Sequence, residues 1–489
     1  MAAIHDLPIE LLSCIFAFLY ARHTKVKELP IWMYEVDETG KSRGPKGLVG
    51  PRYLQTTWSD HDLYNPSLFP CAVARVCQLW LNVMMRNAHY WTRFAFDLAA
   101  VEPLLLDAFL WSNDLPFDML VFDSRVSCAA HPQDNEAASA ELAHAGAVVS
   151  RLIPHLGRCH SLHFDVLYAS SLPALPAVLQ HCSQTMAELK LDYRTHSSTT
   201  IPCNPCSGRT AVARSANFIF LIYLSLDVQT FMHLIQLYPQ WSNDLRRCAY
   251  LTLEISKYAF RDSEESGDSS KYSTNEFFSQ LHKMITIPEL ILSDLSLIHG
   301  IDQDPQMTTK KPRLALRNLG SIVAKNLSEE FLHTLFRDCS LHVAAGVFDG
   351  CIFPRDIYDV GFYYLTFKNI PRNAKLERVL ELWSGDELWI DSCPCFDDTV
   401  VDYLSKVTGS NGACPSPGLR SLSIHNCDNF TFALIKRLVE MRKELGRTSA
   451  DDDPDVLDSL SVSGRSPPLS QEELLWFQTH LTNVRSPLS

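Results

Sequence analysis

The chain has 489 residues, 46% of them hydrophobic and 20% charged. That allows about three domains, or one small module and a long array of units, and it excludes disorder as a global description. The formal net charge of −13 excludes a chain-wide field suited to nucleic acid or to an anionic membrane, because both are bound through basic surface and counterion release.

The first predicted element is a helix over Leu7 to Tyr20. Leu11, Ile15 and Leu19 recur at steps of four, Leu12 and Phe16 form a second ridge beside them, and Pro8 sits just inside the start, where its missing N–H costs nothing. The apolar face is wide for so short a helix, which is marginal alone and must bury that face somewhere. Residues 22–66 break the pattern with Pro30, Gly40, Gly44, Pro45, Gly47, Gly50, Pro51 and Pro66, and read as a long irregular loop, locally basic at Lys41, Arg43 and Lys46. A second helix is predicted over Ser67 to Asn87, with Val73, Val76, Trp80 and Val83 as its seam. A turn then brings Trp91, and Phe94 and Phe96 begin an extended stretch.

After about residue 100 short strand signals alternate with helical ones. Leu162-His163-Phe164, Leu189-Lys190-Leu191, Leu224-Ser225-Leu226, Leu251-Thr252-Leu253, Leu290-Ile291-Leu292 and Leu314-Ala315-Leu316 are followed by Leu365-Thr366-Phe367, Leu388-Trp389-Ile390 and Leu422-Ser423-Ile424. Except across the 51 residues from Leu314 to Leu365, neighbours stand roughly 23 to 39 residues apart, leucine-rich spacing at the short end and beyond it at the long end. Strands that recur with helices between them demand parallel pairing, and one strand plus one helix cannot bury its apolar face alone. Stacked units are therefore expected, with a conventional α/β sheet as the alternative. Residues 262–274 and 446–455 read as disordered surface loops. A strand at Leu460-Ser461-Val462 and a last helix follow, with Ser470 and Glu473 at capping-box spacing.

Chemistry-bearing motifs are weak. The 15 cysteines are odd in number and set in apolar runs, as around Cys77, Cys159 and Cys248, which suits free thiols in a reducing compartment. Cys203-Asn204-Pro205-Cys206 has no second pair at zinc spacing, and Cys393-Pro394-Cys395 reads as a turn after a strand. Lys310-Lys311-Pro312-Arg313 reads as a solvated turn before the strand at Leu314. No nucleophile elbow, phosphate loop, Rossmann glycine run or His-Glu-x-x-His pair is present. The sequence therefore points to a non-enzyme with no cofactor and no metal. It has no basic leader pattern, and its longest apolar run, Phe218 to Leu226, is too short to span a bilayer. A cytoplasmic or nuclear location is expected.

Two blocks near the N-terminus carry a resemblance. LPIELLSCIFAFL and, after the loop, VARVCQLWLNVMMRNAHYWTRF resemble the F-box, above all the F-box-like variant of fungal proteins. Leu7, Pro8, Glu10, Leu11, Leu12, Ile15, Phe16 and Leu19 match its first helix, Val76, Cys77 and Trp80 its second, and Trp91 its third; the loop at 22–66 is longer than the family's. The resemblance implies a substrate receptor of a Skp–cullin–F-box ubiquitin ligase. The helices would bind a Skp-type adaptor, and through it cullin, while the C-terminal region holds a protein substrate. The expected docking residues are Leu7, Pro8, Ile9, Leu11, Leu12, Ile15 and Phe16, with Val76, Cys77, Trp80 and Trp91 completing the module. The expected architecture is α+β or α/β: a three-helix F-box-like module at 5–98, then an irregular leucine-rich-repeat-like α/β solenoid at 99–489. The alternatives are an interaction scaffold outside any ligase, and a hydrolase or redox enzyme built on the Cys and His content.

Overall fold

A computed structural model describes residues 7–23, 35–36, 42–43, 69–100, 104–125, 135–195 and 221–485, apart from 176–177, 179–180, 182–184, 240, 246, 249, 262–271, 285–286, 299–313, 317–318, 356–360, 407–413 and 449–455. The loop expected at 22–66, the disordered stretches expected at 262–274 and 446–455, the basic cluster at Lys310 and the Cys203/Cys206 pair lie wholly or mostly outside those residues. At the edges of two of them Thr274 opens a helix and Thr448 closes one.

The chain forms two compact units, Met1–Leu226 and Asp227–Ser489. In each unit the strands of the main sheet are laid down in chain order, and every described pairing within it is parallel. In the first unit these are β1 (Arg93–Asp97), β2 (Phe117–Phe122), β3 (Cys159–Tyr168), β4 (Glu188–Thr195) and β5 (Tyr223–Asp227), whose last residue opens the second unit. The second unit adds β6 (Thr252–Arg261), β7 (Glu289–Ile298), β8 (Ser321–Lys325), β9 (His342–Asp349), β10 (Gly361–Lys368), β11 (Glu387–Asp391), β12 (Ser421–His425), β13 (Ser459–Ser463) and β14 (Asn483–Arg485).

The expected fold class is corrected here. The chain is α/β, built on parallel strands in chain order, and among the described residues no separate three-helix module precedes them. The predicted second helix is broken into Cys71–Ala74 and Gln78–Met85, and the third is a single 3-10 turn, Ala88–Trp91, that runs straight into β1. Phe94 and Phe96 of β1 pack on Phe109, and Phe94 stacks on Phe117 at 5.1 Å. This segment is thus core of the sheet unit, and the residues expected to end a module begin the sheet. The strand expected at Leu314 is only two residues long and pairs with Cys339–Ser340 outside the main sheet.

Parallel strands in chain order need a crossover after each strand, and crossovers of one hand all lie on the same face. In the second unit those return segments include α-helices over Val228–Leu237, Thr274–Lys283, Glu329–Asp338, Leu376–Leu382, Asp398–Leu404, Phe432–Thr448 and Gln471–His480. Several starts are capped by side chains that accept from orphan N–H groups. Asp227 caps one through Thr230 N at 3.0 Å, and Ser273–Glu276 and Ser470–Glu473 form full capping boxes, the second as the sequence spacing predicts. Strand side chains alternate, so β8, β12 and β13 bury every second residue and leave the others accessible.

Each strand must then turn sharply toward its helix. Asn326, Gly350, Asn369, Ser392, Asn426 and Gly464, each one residue past its strand, hold φ between +48° and +69°. Asparagine and glycine tolerate this left-handed region best. The turn aims the backbone N–H at the last carbonyl of the next strand: Asn326 to Asp349 at 2.8 Å, Gly350 to Lys368 at 3.0 Å, Asn369 to Asp391 at 3.0 Å and Ser392 to His425 at 2.9 Å. A buried cysteine follows in three of these corners, and its thiol donates back to the strand end: Cys351 to Asp349 O at 3.4 Å, Cys393 to Asp391 O at 3.2 Å and Cys427 to His425 O at 3.3 Å. Asp/His-x-Cys is therefore a corner motif.

In the first unit the helix over Asn135–Leu152 is anchored by a buried carboxylate. Glu141 is fully buried, accepts from the N–H of Leu167 at 3.3 Å and of Tyr168 at 3.0 Å, and faces Arg125 at 3.3 Å. Burial, and the hydrogen bond shared with Asp123, raise its pKa to about 7. Burial works against ionisation of Asp123 as well, but the hydrogen bonds from Arg125 and Glu141 outweigh it, so its pKa is lowered.

Two predictions follow from this packing. A Cβ on Gly385 would sit 2.2 Å from the Phe362 carbonyl oxygen and 2.6 Å from Trp383 Nε1, whereas one on Gly146, in an exposed helical turn, meets nothing within 4 Å. Gly385→Ala is expected to cost roughly 2 kcal/mol or more and Gly146→Ala to add about 0.5–1 kcal/mol, read by thermal and denaturant unfolding. For Glu141, the folded protein holds a proton that the unfolded chain has lost between about pH 4.5 and about pH 7, so its contribution falls as pH rises through that window. Asp123 acts oppositely: its contribution is present above its ordinary pKa and is lost as pH falls through the lowered value. Melting temperatures of the intact protein from pH 5 to 8 should fall less steeply in Glu141→Gln; an unchanged slope contradicts the assignment.

Candidate functional site

Two accessible surfaces carry side chains that the fold itself does not use. The first is the N-terminal helix α1 (Ile9–His23). Leu12 and Phe16, one turn apart, are completely buried, and Phe16 meets Trp80 edge-on at 5.1 Å. Tyr20 continues the contact against Phe69 at 5.9 Å and Tyr90 at 5.6 Å, and Tyr90 Oη donates to the Ser13 carbonyl at 3.4 Å. These contacts fix the rotation of the helix. Pro8, Leu11, Ile15 and Phe18, at steps of three, four and three, fall on the adjoining face and are exposed, Leu11 at 51% and Phe18 at 68%. Ile9 is also exposed, at the first turn, and Leu7 is half-buried.

The structure thus divides the expected docking residues. Pro8, Ile9, Leu11 and Ile15 are accessible, while Leu12 and Phe16 are interior. Trp80 is buried, and Trp91, wholly buried, donates its indole N–H to Met84 O at 3.1 Å and packs on Trp111 at 4.4 Å. Cys77 is half-buried and extended, and it stands just before the Gln78–Met85 helix, α2, with no capping hydrogen bond from its side chain; that break turns Val76 outward to 50% exposure, off the seam that an unbroken helix would place it on. Phe18 is the residue that the sequence reading overlooked. Its signal is the spacing 8, 11, 15, 18, masked by the stronger steps of four at Leu11, Ile15 and Leu19.

The second surface is the face of the second unit's sheet opposite its buried side chains. Strand register aligns its side chains in rows across the strands. A middle row runs Val323, Val347, Thr366, Trp389, Ser423 and Ser461. Trp389, 49% exposed, is its largest accessible side chain. Nearer the strand C-termini, Lys325, Asp349, Lys368 and Asp391 alternate in charge, with His425 next in register, an arrangement in which opposite charges on neighbouring strands stabilise one another. Nearer the N-termini lie Glu289, Ser321, Ala345, Tyr364 and Glu387. Glu289 is satisfied by hydroxyls of Thr252 at 2.8 Å and Ser321 at 3.3 Å. Glu387 has no hydrogen bond or ion pair among the described residues, and burial together with the like charge of Asp386 raises its pKa.

The described cysteines form no comparable site. Cys393, Cys395 and Cys427 cluster at one corner, with Cys393 N donating to Cys427 Sγ at 3.4 Å, and all three are buried. The hydrogen bond from Cys395 lowers the Cys393 pKa, while Cys395 itself is pushed up; burial raises Cys427 to about 11. Among the described residues no group of three or more His, Cys, Asp or Glu could hold a metal ion, and no helix is long and apolar enough to cross a membrane.

No family model matches the chain, and no curated protein matches it.

The division of α1 is directly measurable. Leu12→Ala should cost about 3 kcal/mol by leaving a cavity where its fully buried side chain sits, whereas Leu11→Ala, one residue away, should stay within about 0.5 kcal/mol of the parent. Denaturant unfolding of the two variants checks it; equal losses contradict the assigned helix rotation.

Proposed function

We propose that the chain is a non-enzymatic recognition adaptor. The exposed stripe of α1 docks a Skp-type adaptor, which links it to cullin, and the accessible sheet face of the second unit holds the protein to be ubiquitinated. The observation that carries this reading is the stripe Pro8, Leu11, Ile15 and Phe18. A helix locked in rotation by Leu12 and Phe16 still presents apolar side chains at 51% and 68% exposure, which is the anchor pattern of helix-in-groove recognition. The likeness of the LPIELLSCIFAFL segment to the F-box supports the same assignment. The role is one of positioning: two binding surfaces on one chain raise the local concentration of substrate near a ubiquitin carrier, and the bond-making belongs to other subunits.

The burial of Leu12 and Phe16 favours a second reading, because it leaves fewer of the family's first-helix residues free for a partner. In that reading the chain is an interaction scaffold outside any ligase, and α1 serves only the fold.

Calorimetry of the intact chain with a recombinant Skp-type adaptor separates the two. Leu11→Ala, Ile15→Ala and Phe18→Ala combined should weaken binding by about 2 kcal/mol or more without lowering the melting temperature. Binding unchanged by the triple substitution removes α1 as the docking element. An intact, folded chain that binds no adaptor and does not co-purify with cullin leaves the scaffold reading.

A further inference from the structure

We infer that the N-terminal half of the helix Asn135–Leu152 is a proton-controlled latch, held on the first unit's sheet while Asp123 and Glu141 share one proton and released when the pair loses it. The device belongs to the first unit and is independent of both proposed docking surfaces.

The helix is fastened unevenly. Its C-terminal half buries Ala145, Val148 and Leu152 at steps of three and four, whereas Glu141 is the only buried residue of 135–144. That half is therefore seated by a carboxyl group and not by apolar packing. Glu141 and Asp123 are both wholly buried and are hydrogen-bonded to each other, a contact that two carboxyl groups make only when one of them carries a proton. Among the described residues one cation faces both. Arg125 reaches Asp123 through Nε at 2.9 Å and through Nη2, and Glu141 through Nη2 at 3.3 Å. With the shared proton the group of three is neutral. Without it two buried carboxylates face a single guanidinium that is itself 38% exposed, and one buried negative charge is left over. The neighbouring groups supply no second cation. Asp165 is paired with Arg194, which also donates to the Arg125 carbonyl at 3.1 Å. Asp97 accepts from the N–H groups of Ala99 and Ser124, and a ring nitrogen of His144 lies 2.8 Å from the Leu98 carbonyl oxygen. Ser171, hydrogen-bonded to Glu141, and Tyr168, near Arg125, are hydroxyls. Water relieves the extra charge once Glu141 gives up the N–H groups of Leu167 and Tyr168, the contacts that seat this half of the helix on the end of β3. The Glu141 pKa, raised to about 7 chiefly by burial, places the release at near-neutral pH.

Hydrogen–deuterium exchange of the full chain at pH 6 and pH 8, corrected for the intrinsic pH dependence of amide exchange, tests the latch. Protection of residues 135–144 should fall about tenfold between the two conditions, while residues 145–152 and β2 keep theirs. In Glu141→Gln, whose neutral amide still accepts from the backbone N–H groups, protection of 135–144 should be the same at both pH values. Asp123→Asn removes the like charge and lets Arg125 neutralise Glu141, so it should abolish the loss as well and provides the check if Glu141→Gln misfolds. Equal protection of 135–144 at both pH values in the parent overturns the latch, as does a loss that persists in either folded variant. A loss spread evenly over β1 to β4 also overturns it, because that is unfolding of the whole unit and not release of one half of a helix.

Discussion

The constraint on which the rest depends is parallel pairing in strict chain order. A parallel neighbour cannot be reached by a hairpin, so every strand must be followed by a return over the sheet. Returns of a single hand all land on one side. That geometry buries Leu388, Ile390, Leu422, Ile424, Leu460 and Val462, and it leaves Trp389, Ser423 and Ser461 in register on the other side. It also demands a sharp corner at each strand end. The positive φ of Asn326, Asn369 and Asn426, and the carbonyl each of their N–H groups reaches in the next strand, are the local solutions to that demand. The buried thiols of Cys351, Cys393 and Cys427 finish the corners at Gly350, Ser392 and Asn426 as small apolar groups with one weak donor each.

The helix α1 stands outside this scheme. It serves as no crossover, and its burial comes from two residues, Leu12 and Phe16, set against an aromatic group formed by Trp80, Phe69 and Tyr90. A helix held along one edge retains a second apolar edge, and that unused edge is what a partner groove would cover. The second unit's sheet face differs in chemistry: a middle row of small and aliphatic side chains with one exposed indole, between a charged row that is internally balanced and a row that contains one unbalanced carboxylate, Glu387. The proposed two-site adaptor uses both, the apolar edge for a constant partner and the mixed face for a varying one.

Much of the sheet was legible in the sequence. Leu-x-Leu triplets marked β3 through β7 and β10 through β13, because alternation is a direct imprint of one-sided burial. The strands it passed over had other textures: β2 is a mostly apolar run without Leu-x-Leu alternation, β8 and β9 carry Ala324, Ala344, Ala345 and Gly346 where leucines would have stood, and β14 is only three residues long. The Leu314 triplet had the right texture but pairs outside the main sheet, since a triplet cannot specify its neighbour. At the N-terminus the periodicity of Val73, Val76, Trp80 and Val83 concealed a break, because the extended backbone of Cys77 leaves no mark in an apolar count. The same limit applies to the candidate surfaces. Pattern alone could list the apolar residues of α1, but which edge faces Trp80 depends on packing between segments far apart in the chain. Trp389 was visible only as the middle of a strand triplet, and its exposure follows from the side of the sheet on which the helices return.

The central claim is that the free edge of α1 is a docking surface. Hydrogen–deuterium exchange of the full chain, with and without a recombinant Skp-type adaptor, tests it most directly. The account predicts added protection across residues 7–23 and the α2 region that supports them, with the second unit unchanged. Adaptor binding that leaves residues 7–23 exchanging as in the free chain would contradict it.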